Sequence, residues 1–365
     1  MNKPVSFTKI NQSKMDFSDL YTSNDPRNYF KYLGQLDYII PHLAQPIFDQ
    51  LIRARREVQA GPVTVLDLGC SYAINGALMK YAVDYEALRQ RYTAPTLQGL
   101  DSSQVLELDR HFYKSWPKNE GVRVIGHDIS ENAIRYGEKC GLLDRGLAID
   151  MENRDLTPDE AAELADVDII VSTGCVGYVT SKTFERVLKA IRPGRAPWVA
   201  SFVLRMFPFD DIEDTLAAHG LVTEPYEGAT FVQRRFANRE EMEATIKTVE
   251  ARGIDSYGRE AEGLYHADLF VSRPAEEVER RPIQKLVNVV SGANKLWNVG
   301  ANVLGSYGPS ARRRARAERR QKLPSFNAHG LRHRQYQLIT FGRRNECQCD
   351  TGVAACRLDY YGIGR

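Results

Sequence analysis

The sequence predicts an α/β fold built on an open, mostly parallel sheet, and its patterning supplies the reasons. Five short apolar runs, VTVLDLG (63–69), VRVIGHD (122–128), LAID (147–150), VDIIVST (167–173) and APWVASFVL (196–204), alternate with segments of helical spacing. Each run is nearly continuous in apolar residues, as in a strand covered on both faces; a half-exposed strand would alternate. The 365 residues are 43% hydrophobic and 26% charged, which are globular proportions and exclude a fibre or a wholly disordered chain. At about 150 residues per domain, the length suits two domains, or one large domain with appendages.

Taken in order, residues 1–25 are polar and aperiodic and read as a flexible arm. In 26–61 the residues Phe30, Leu33, Leu36, Ile40, Leu43, Ile47 and Leu51 recur at steps of three or four, a helical stripe that Pro41 and Pro46 should break into two or three short helices. The strand–helix alternation then fills 62–273. NGALMKYAVDYEAL follows the first strand, ENAIRYGEKCG the second, and TSKTFERVLKAI precedes the fifth. Residues 85–119 interrupt the alternation as a helical insertion. FDDIEDTLAAHG and NREEMEATIKTVEARG are further helices, and FVQRR with YHADLFV forms an antiparallel pair that closes the sheet. Residues 274–365 read as a basic, largely disordered tail. From Ala275 onward there are 17 Lys and Arg against 7 Asp and Glu, a net of +10, while the rest of the chain carries −8. An acidic body argues against electrostatic attraction to nucleic acid as its main business, whereas the tail leaves room for it.

Ligands of open parallel sheets bind at the carboxyl ends of the strands. The first strand ends in Asp67-Leu68-Gly69-Cys70-Ser71-Tyr72, where a glycine lets backbone approach a ligand. Asp128 ends the second strand, placed to accept from both ribose hydroxyls of a nucleoside, and Asp150 ends the third, where it could accept from an adenine amino group. The first turn carries only one glycine of a G-x-G-x-x-G dinucleotide fingerprint and lacks the G-K-[ST] of a P-loop. The expected cofactor is an adenosine compound without a pyrophosphate.

Residues 62–273 resemble the class I S-adenosylmethionine-dependent methyltransferases. VLDLGCSYA is similar to the family's first motif, GHDIS to its second, AIDME to its third, and VDIIVSTGCVGYV to its fourth-strand region. The resemblance implies a Rossmann-like sheet of seven strands with the last antiparallel, and S-adenosyl-L-methionine as cofactor. It places Asp67 and Gly69 near the methionine moiety, Asp128 on the ribose and Asp150 with Met151 around the adenine; Ser71, Ile129 and Ser172 are further candidate cofactor-binding residues. The sequence departs from the family where Ser71 and Ala73 replace the usual glycines, and where Asp67 and Asp128 stand 61 residues apart because of the insertion.

Methyl transfer is an in-line displacement that depends mainly on positioning. The candidate catalytic residues are Tyr72 and Tyr178, whose rings would stabilise a sulfonium by cation–π attraction, and His127, a candidate base beside Asp128. Cys175 is a candidate nucleophile or a small buried thiol, and Asn75 either caps the first helix or touches the cofactor. The expected partner is a small-molecule methyl acceptor. Alternatives are methylation of RNA gripped by the basic run ARRRARAERRQK, a cyclising reaction by intramolecular attack within S-adenosylmethionine, and a non-catalytic homologue. Cys347, Cys349 and Cys356 complete no standard zinc spacing, so no metal is expected. With no signal-peptide core and no apolar stretch near 18 residues, the protein is expected in the cytoplasm, without a membrane span.

Overall fold

The computed structural model describes residues 7–11, 14 and 18–289. All the apolar runs read as strands form them: β1 (Val63–Leu68), β2 (Val122–Asp128), β3 (Arg145–Ala148), β4 (Ile169–Thr173) and β5 (Trp198–Leu204). They pair in parallel in the order β3-β2-β1-β4-β5, with Val63 beside Val122 and Val65 beside Ile169. Every residue of β1 and of β5 is buried, as continuous apolar runs require. The strand order reverses between β1 and β4, so their carboxyl ends open the crevice in which ligands of such sheets sit.

The far edge holds three more strands rather than the two read from the sequence: β6 (Leu221–Pro225), β7 (Phe231–Arg235) and β8 (Leu264–Pro274). Strand β8 runs antiparallel to β5, with Val199 opposite Ser272 and Leu204 opposite Ala267. On its other side it pairs with β7 through its first half and with β6 through its second, both antiparallel. Eight strands thus fill seven positions of a Rossmann-like sheet. Strand β6 escaped the sequence reading because an edge strand needs little apolar patterning; of its five residues only Leu221 is buried.

The stripe of 26–61 folds as two helices, within the two or three expected, but its break falls at 36–39 and not at the prolines. It forms helices Arg27–Gln35 and Ile40–Arg56, the second continuing through both prolines. Pro41 sits in the first turn, where no backbone N–H is needed. Past Pro46 the helix is held by the burial of Leu43, Ile47 and Leu51 against β1, β4, β7 and helix Ile74–Lys80. The insertion carries helices Tyr85–Thr93, Pro95–Gln98 and Ser102–Lys114, started by the side-chain caps of Asp84 and Asp101. A buried phenol chain ties it to helix Glu131–Lys139. Tyr92 bonds Tyr113 at 3.0 Å and Tyr136 at 2.7 Å, and Tyr136 donates to Asp109, which also pairs with Arg91.

Two expectations are corrected at the chain ends. The segment before residue 25 is no loose arm in its described part: Ile10 and Leu20 are buried, and helices Phe7–Asn11 and Ser18–Tyr21 lie on the body. Its anchors are polar contacts to main chain, which leave no periodicity to read. Beyond Arg273, helices Ala275–Arg280 and Ile283–Leu286 also dock. Trp198 Nε1 donates to Glu277 at 2.6 Å, the Ile283 amide donates to Glu224 at 2.9 Å, and Ile283, Leu286 and Val287 are buried. The rest of the expected tail, including the arginine run and Cys347, Cys349 and Cys356, lies outside the described residues. Among the described residues no helix is long and apolar enough to cross a membrane.

Candidate functional site

An open cleft of about 520 Å³ lies at the opposite end of the sheet from the carboxyl ends where ligands of parallel sheets bind. Arg55, Arg192, Arg195 and Glu277 line it at the amino ends of β4 and β5. Its charges are spent on each other, since Arg55 and Arg195 pair with Asp168 and Arg192 with Asp166. The chemistry-bearing groups gather instead at the carboxyl ends, beneath the N-terminal segment.

The turn after β1 passes through three left-handed residues, Gly69 (φ 66°), Ser71 (φ 49°) and Ala73 (φ 58°), before helix Ile74–Lys80 starts. Ser71 and Ala73 therefore keep the backbone that glycines would supply, and the departure lies in residue type alone. A Cβ on Gly69 would come within 2.6 Å of Cys175 Cβ, so the loop after β4 presses directly on this turn.

Asp67 is fully buried and accepts one hydrogen bond, from Asn75 Nδ2 to Oδ1 at 3.1 Å; burial pushes its carboxyl up to about 7. Asn75 also donates to Thr173 Oγ1 at 3.1 Å and so bridges β1 and β4. Asp67 Oδ2, Asn75 Oδ1 and Ser71 Oγ are buried without a partner. Ser172 is fully buried beside the Cys175 thiol. Buried polar atoms are nearly always bonded, so three orphans in one turn and its helix call for a ligand that donates hydrogen bonds. Two of the three are an amide oxygen, which only accepts, and a carboxyl oxygen, which only accepts once the group is ionised; both suit a cationic donor.

Asp128 is half-buried and aimed by two amides: Ser71 N donates to Oδ2 at 2.9 Å and Ser130 N to Oδ1 at 3.0 Å. Each oxygen keeps a lone pair for a ligand hydroxyl. The next residue, Ile129, is 73% exposed, an apolar side chain on the rim. Asp150 is exposed, and Asn153 beside it holds its carboxyl below the usual range. Met151 is buried under it.

The three candidate catalytic residues separate. Tyr72 is wholly buried, edge-on to Tyr29 and Tyr136, and its hydroxyl is shared between the carbonyls of Leu20 and Ser23, each at 2.8 Å. It fastens the N-terminal segment instead of facing a ligand. His127 is buried with Nε2 2.8 Å from the Ile149 carbonyl, and burial lowers its pKa, so it is a neutral staple between β2 and the end of β3. Tyr178 alone is open, 57% exposed, on the loop after β4. Cys175 donates to the Leu68 carbonyl at 3.3 Å, and burial pushes its thiol up to about 12, far from a thiolate.

One residue was passed over in the sequence. Lys14 Nζ lies 4.7 Å from the centre of the Tyr178 ring and 5.6 Å from that of Phe207, and burial pulls its ammonium down to about 8. A single lysine in an aperiodic segment gives no pattern to detect. The segment is seated by Asn11 Nδ2 on the Gly177 carbonyl (2.7 Å), Ser130 Oγ on Tyr21 O (2.5 Å), Asn132 Nδ2 on Thr22 O (2.7 Å) and the edge-on pair Phe7–Phe207. Its described residues thereby contact the chain just beyond β2, β4 and β5.

No family model matches the chain, and no curated protein matches it. Among solved structures, the chain is similar to the plantazolicin methyltransferase BpumL in complex with SAH, at 11% identity and a TM-score of 0.37, over 73% of this chain and 97% of that one. It is similar to a TehB-like SAM-dependent methyltransferase from Corynebacterium glutamicum at 15% identity and a TM-score of 0.33, covering 67% and 95%. The likeness to a phosphoethanolamine N-methyltransferase 2 of Haemonchus contortus has 14% identity and a TM-score of 0.35, covering 75% and 61%. Likenesses this distant say nothing about the reaction; the chain's own residues have to.

Proposed function

We propose that the protein binds S-adenosylmethionine at the carboxyl ends of β1, β2 and β4 and transfers its methyl group to a small-molecule acceptor. The observation that carries this reading is the set of unpartnered buried acceptors, Asp67 Oδ2 and Asn75 Oδ1, at the end of β1 and in the helix that follows it. A ligand with an ammonium group at one end and ribose hydroxyls at the other fits them: Asp67 and Asn75 take the ammonium, Ser71 Oγ a carboxylate oxygen, and Asp128 the hydroxyls. Ile129 offers the adenine an apolar rim and Asp150 an acceptor. When bound, the cofactor supplies an electrophilic methyl on a sulfonium.

The chain's contribution is then positioning and exclusion of water. Tyr72 and Ser130 hold the N-terminal segment down over the crevice through its carbonyls. His127 is buried and bonded to a carbonyl, and burial makes it a weaker base; the Cys175 thiol stays protonated, and the Tyr72 hydroxyl is committed to carbonyls. Those placements favour an acceptor that presents a free lone pair, such as an amine, thiolate or carboxylate, over one that needs a strong base.

Titration calorimetry with S-adenosylmethionine and S-adenosylhomocysteine tests the reading. Micromolar binding that Asp128→Ala weakens by about 1.5–3 kcal/mol, the value of hydrogen bonds to a charged acceptor, is expected. No heat and no thermal shift with either compound at millimolar concentration would end it.

A further inference from the structure

Strand β7 is irregular at Gln233. Val232 pairs with His266 and Arg234 with Tyr265, so two steps on β7 match one on β8, and Gln233 is the extra residue of a bulge. A bulge takes a side chain out of the regular alternation and re-aims it. Here the Gln233 amide is turned onto Gly174, the first residue past β4, where a Cβ would collide with Gln233 Nε2. The residue before it, Thr173, receives the hydrogen bond from Asn75, so the amide lies against the strand end that the Asn75 bridge joins to β1. The backbone at this point is fixed: Ile39 N donates to the Gln233 carbonyl at 2.8 Å, and Phe231 lies edge-on to Phe202. Next to it, Arg234 is matched by Glu241 at 2.7 Å. Gln233 is only 6% exposed, yet among the described residues its side-chain amide makes no hydrogen bond. Buried amides are nearly always bonded, so this one, like the acceptors at Asp67 and Asn75, calls for a ligand.

We propose that Gln233 is a specificity-determining residue for the methyl acceptor, and that the acceptor carries a carboxamide or peptide-like group which pairs with the Gln233 amide at the carboxyl end of β4. The proposal rests on the transfer reading above, in which the cofactor takes up Asp67, Asn75 and Asp128 and leaves Gln233 to the second ligand. The class of group follows from the amide itself, which holds a donor, Nε2, beside an acceptor, Oε1. A carboxylate would match Nε2 and leave Oε1 unsatisfied. An ammonium would do the reverse. A group with N–H beside C=O matches both. Recognition and reaction then use different parts of the acceptor: the amide-like group is held at Gln233, and the nucleophile is a separate atom. An acceptor without that group would bury the Gln233 amide unpaired, which is the strong form of discrimination a polar site can exert.

The test follows the side-chain amide resonance of Gln233 in the full chain, made with isotope-labelled glutamine, while N-methylacetamide, acetate or methylammonium is added in the presence of S-adenosylhomocysteine. The resonance is identified by its loss in Gln233→Glu and Gln233→Leu. N-methylacetamide should shift it saturably, with a dissociation constant at least about fivefold below those of the other two probes. In protein labelled at glycine, the Gly174 amide should report the same binding in the parent and none in Gln233→Leu. Calorimetry should find S-adenosylhomocysteine affinity within about twofold in all three proteins, since Gln233 is not a cofactor contact. The probe preference of the parent decides the matter even where Gln233→Leu does not fold. No saturable shift, an equal response to acetate or methylammonium, or a Gly174 response that survives in Gln233→Leu overturns the inference and leaves the cofactor reading standing. If S-adenosylhomocysteine binds none of the proteins, the cofactor reading falls, and the assignment of Gln233 to a methyl acceptor falls with it.

Discussion

Ser71 and Ala73 hold left-handed backbone that costs a non-glycine residue about 1–2 kcal/mol. The Ala73 methyl has a packing reason, because Gly76 and Gly137 leave the space in which it is buried. Ser71 has none: its hydroxyl is buried and unpartnered. Ser71→Gly is therefore expected to stabilise the ligand-free protein by about 0.5–1 kcal/mol, after the added freedom of the unfolded chain is set against the relieved strain. It should at the same time weaken S-adenosylmethionine binding. Thermal melts with and without ligand would show the two effects in opposite directions; a variant neutral in both would mean the serine is incidental. Asp67 makes a second residue-scale prediction. Its folded-state pKa of about 7 is above the usual aspartate value, so its stabilising contribution is complete below about pH 4 and is lost as pH rises through 7. The ligand-free protein should lose stability between about pH 4 and 7 for this reason, and Asp67→Asn should flatten that slope. A cationic ligand favours the ionised carboxylate, so binding at pH 6.5 should release protons. Calorimetry in two buffers of different ionisation heat detects the release, and Asp67→Asn should abolish it.

Among the elements, β1, β4 and β5 were legible because each is a nearly continuous apolar run buried on both faces, and Asp67 and Asp128 could be placed near strand ends by counting; β3 is an edge strand with only Leu147 buried, and it stops two residues before Asp150. What faces what was not legible. The Tyr72 ring follows a left-handed residue, and only the fold shows that it turns toward Tyr29 and away from the crevice. Strand β6 and the N-terminal segment were missed because edge pairing and side-chain bonds to carbonyls leave no hydrophobic period. Helices Ala275–Arg280 and Ile283–Leu286 were assigned to a tail because six and four residues are too few for a periodicity to register. Their burial yields a prediction at this scale. Ile283→Ala should cost about 2–4 kcal/mol in urea unfolding, as deletions of fully buried aliphatic side chains do. A chain ending at Ala275 should lose at least as much, whereas one ending at residue 289 should melt like the parent.

For the molecule as a whole, the charge divides at the same place. Residues 290–365 carry 14 Lys and Arg against 4 Asp and Glu, a net of +10, and the 289 residues before them carry −8. A chain ending at residue 289 should bind S-adenosylmethionine as the parent does. Any retention of the parent on heparin should fall steeply with salt and vanish in the shortened chain, because phosphate- and sulfate-like contacts act by counterion release. Retention by the shortened chain would place the polyanion-binding charges on the body. The phenol chain joins the insertion to helix Glu131–Lys139. Tyr92, Tyr113 and Asp109 come from the insertion, but Tyr136 belongs to the sheet's own helix and stacks edge-on against Tyr72. Removing 85–119 would therefore uncover Tyr136 and the rings behind it in one step, so the segment is built into the core of the body and cannot be excised as a separate module.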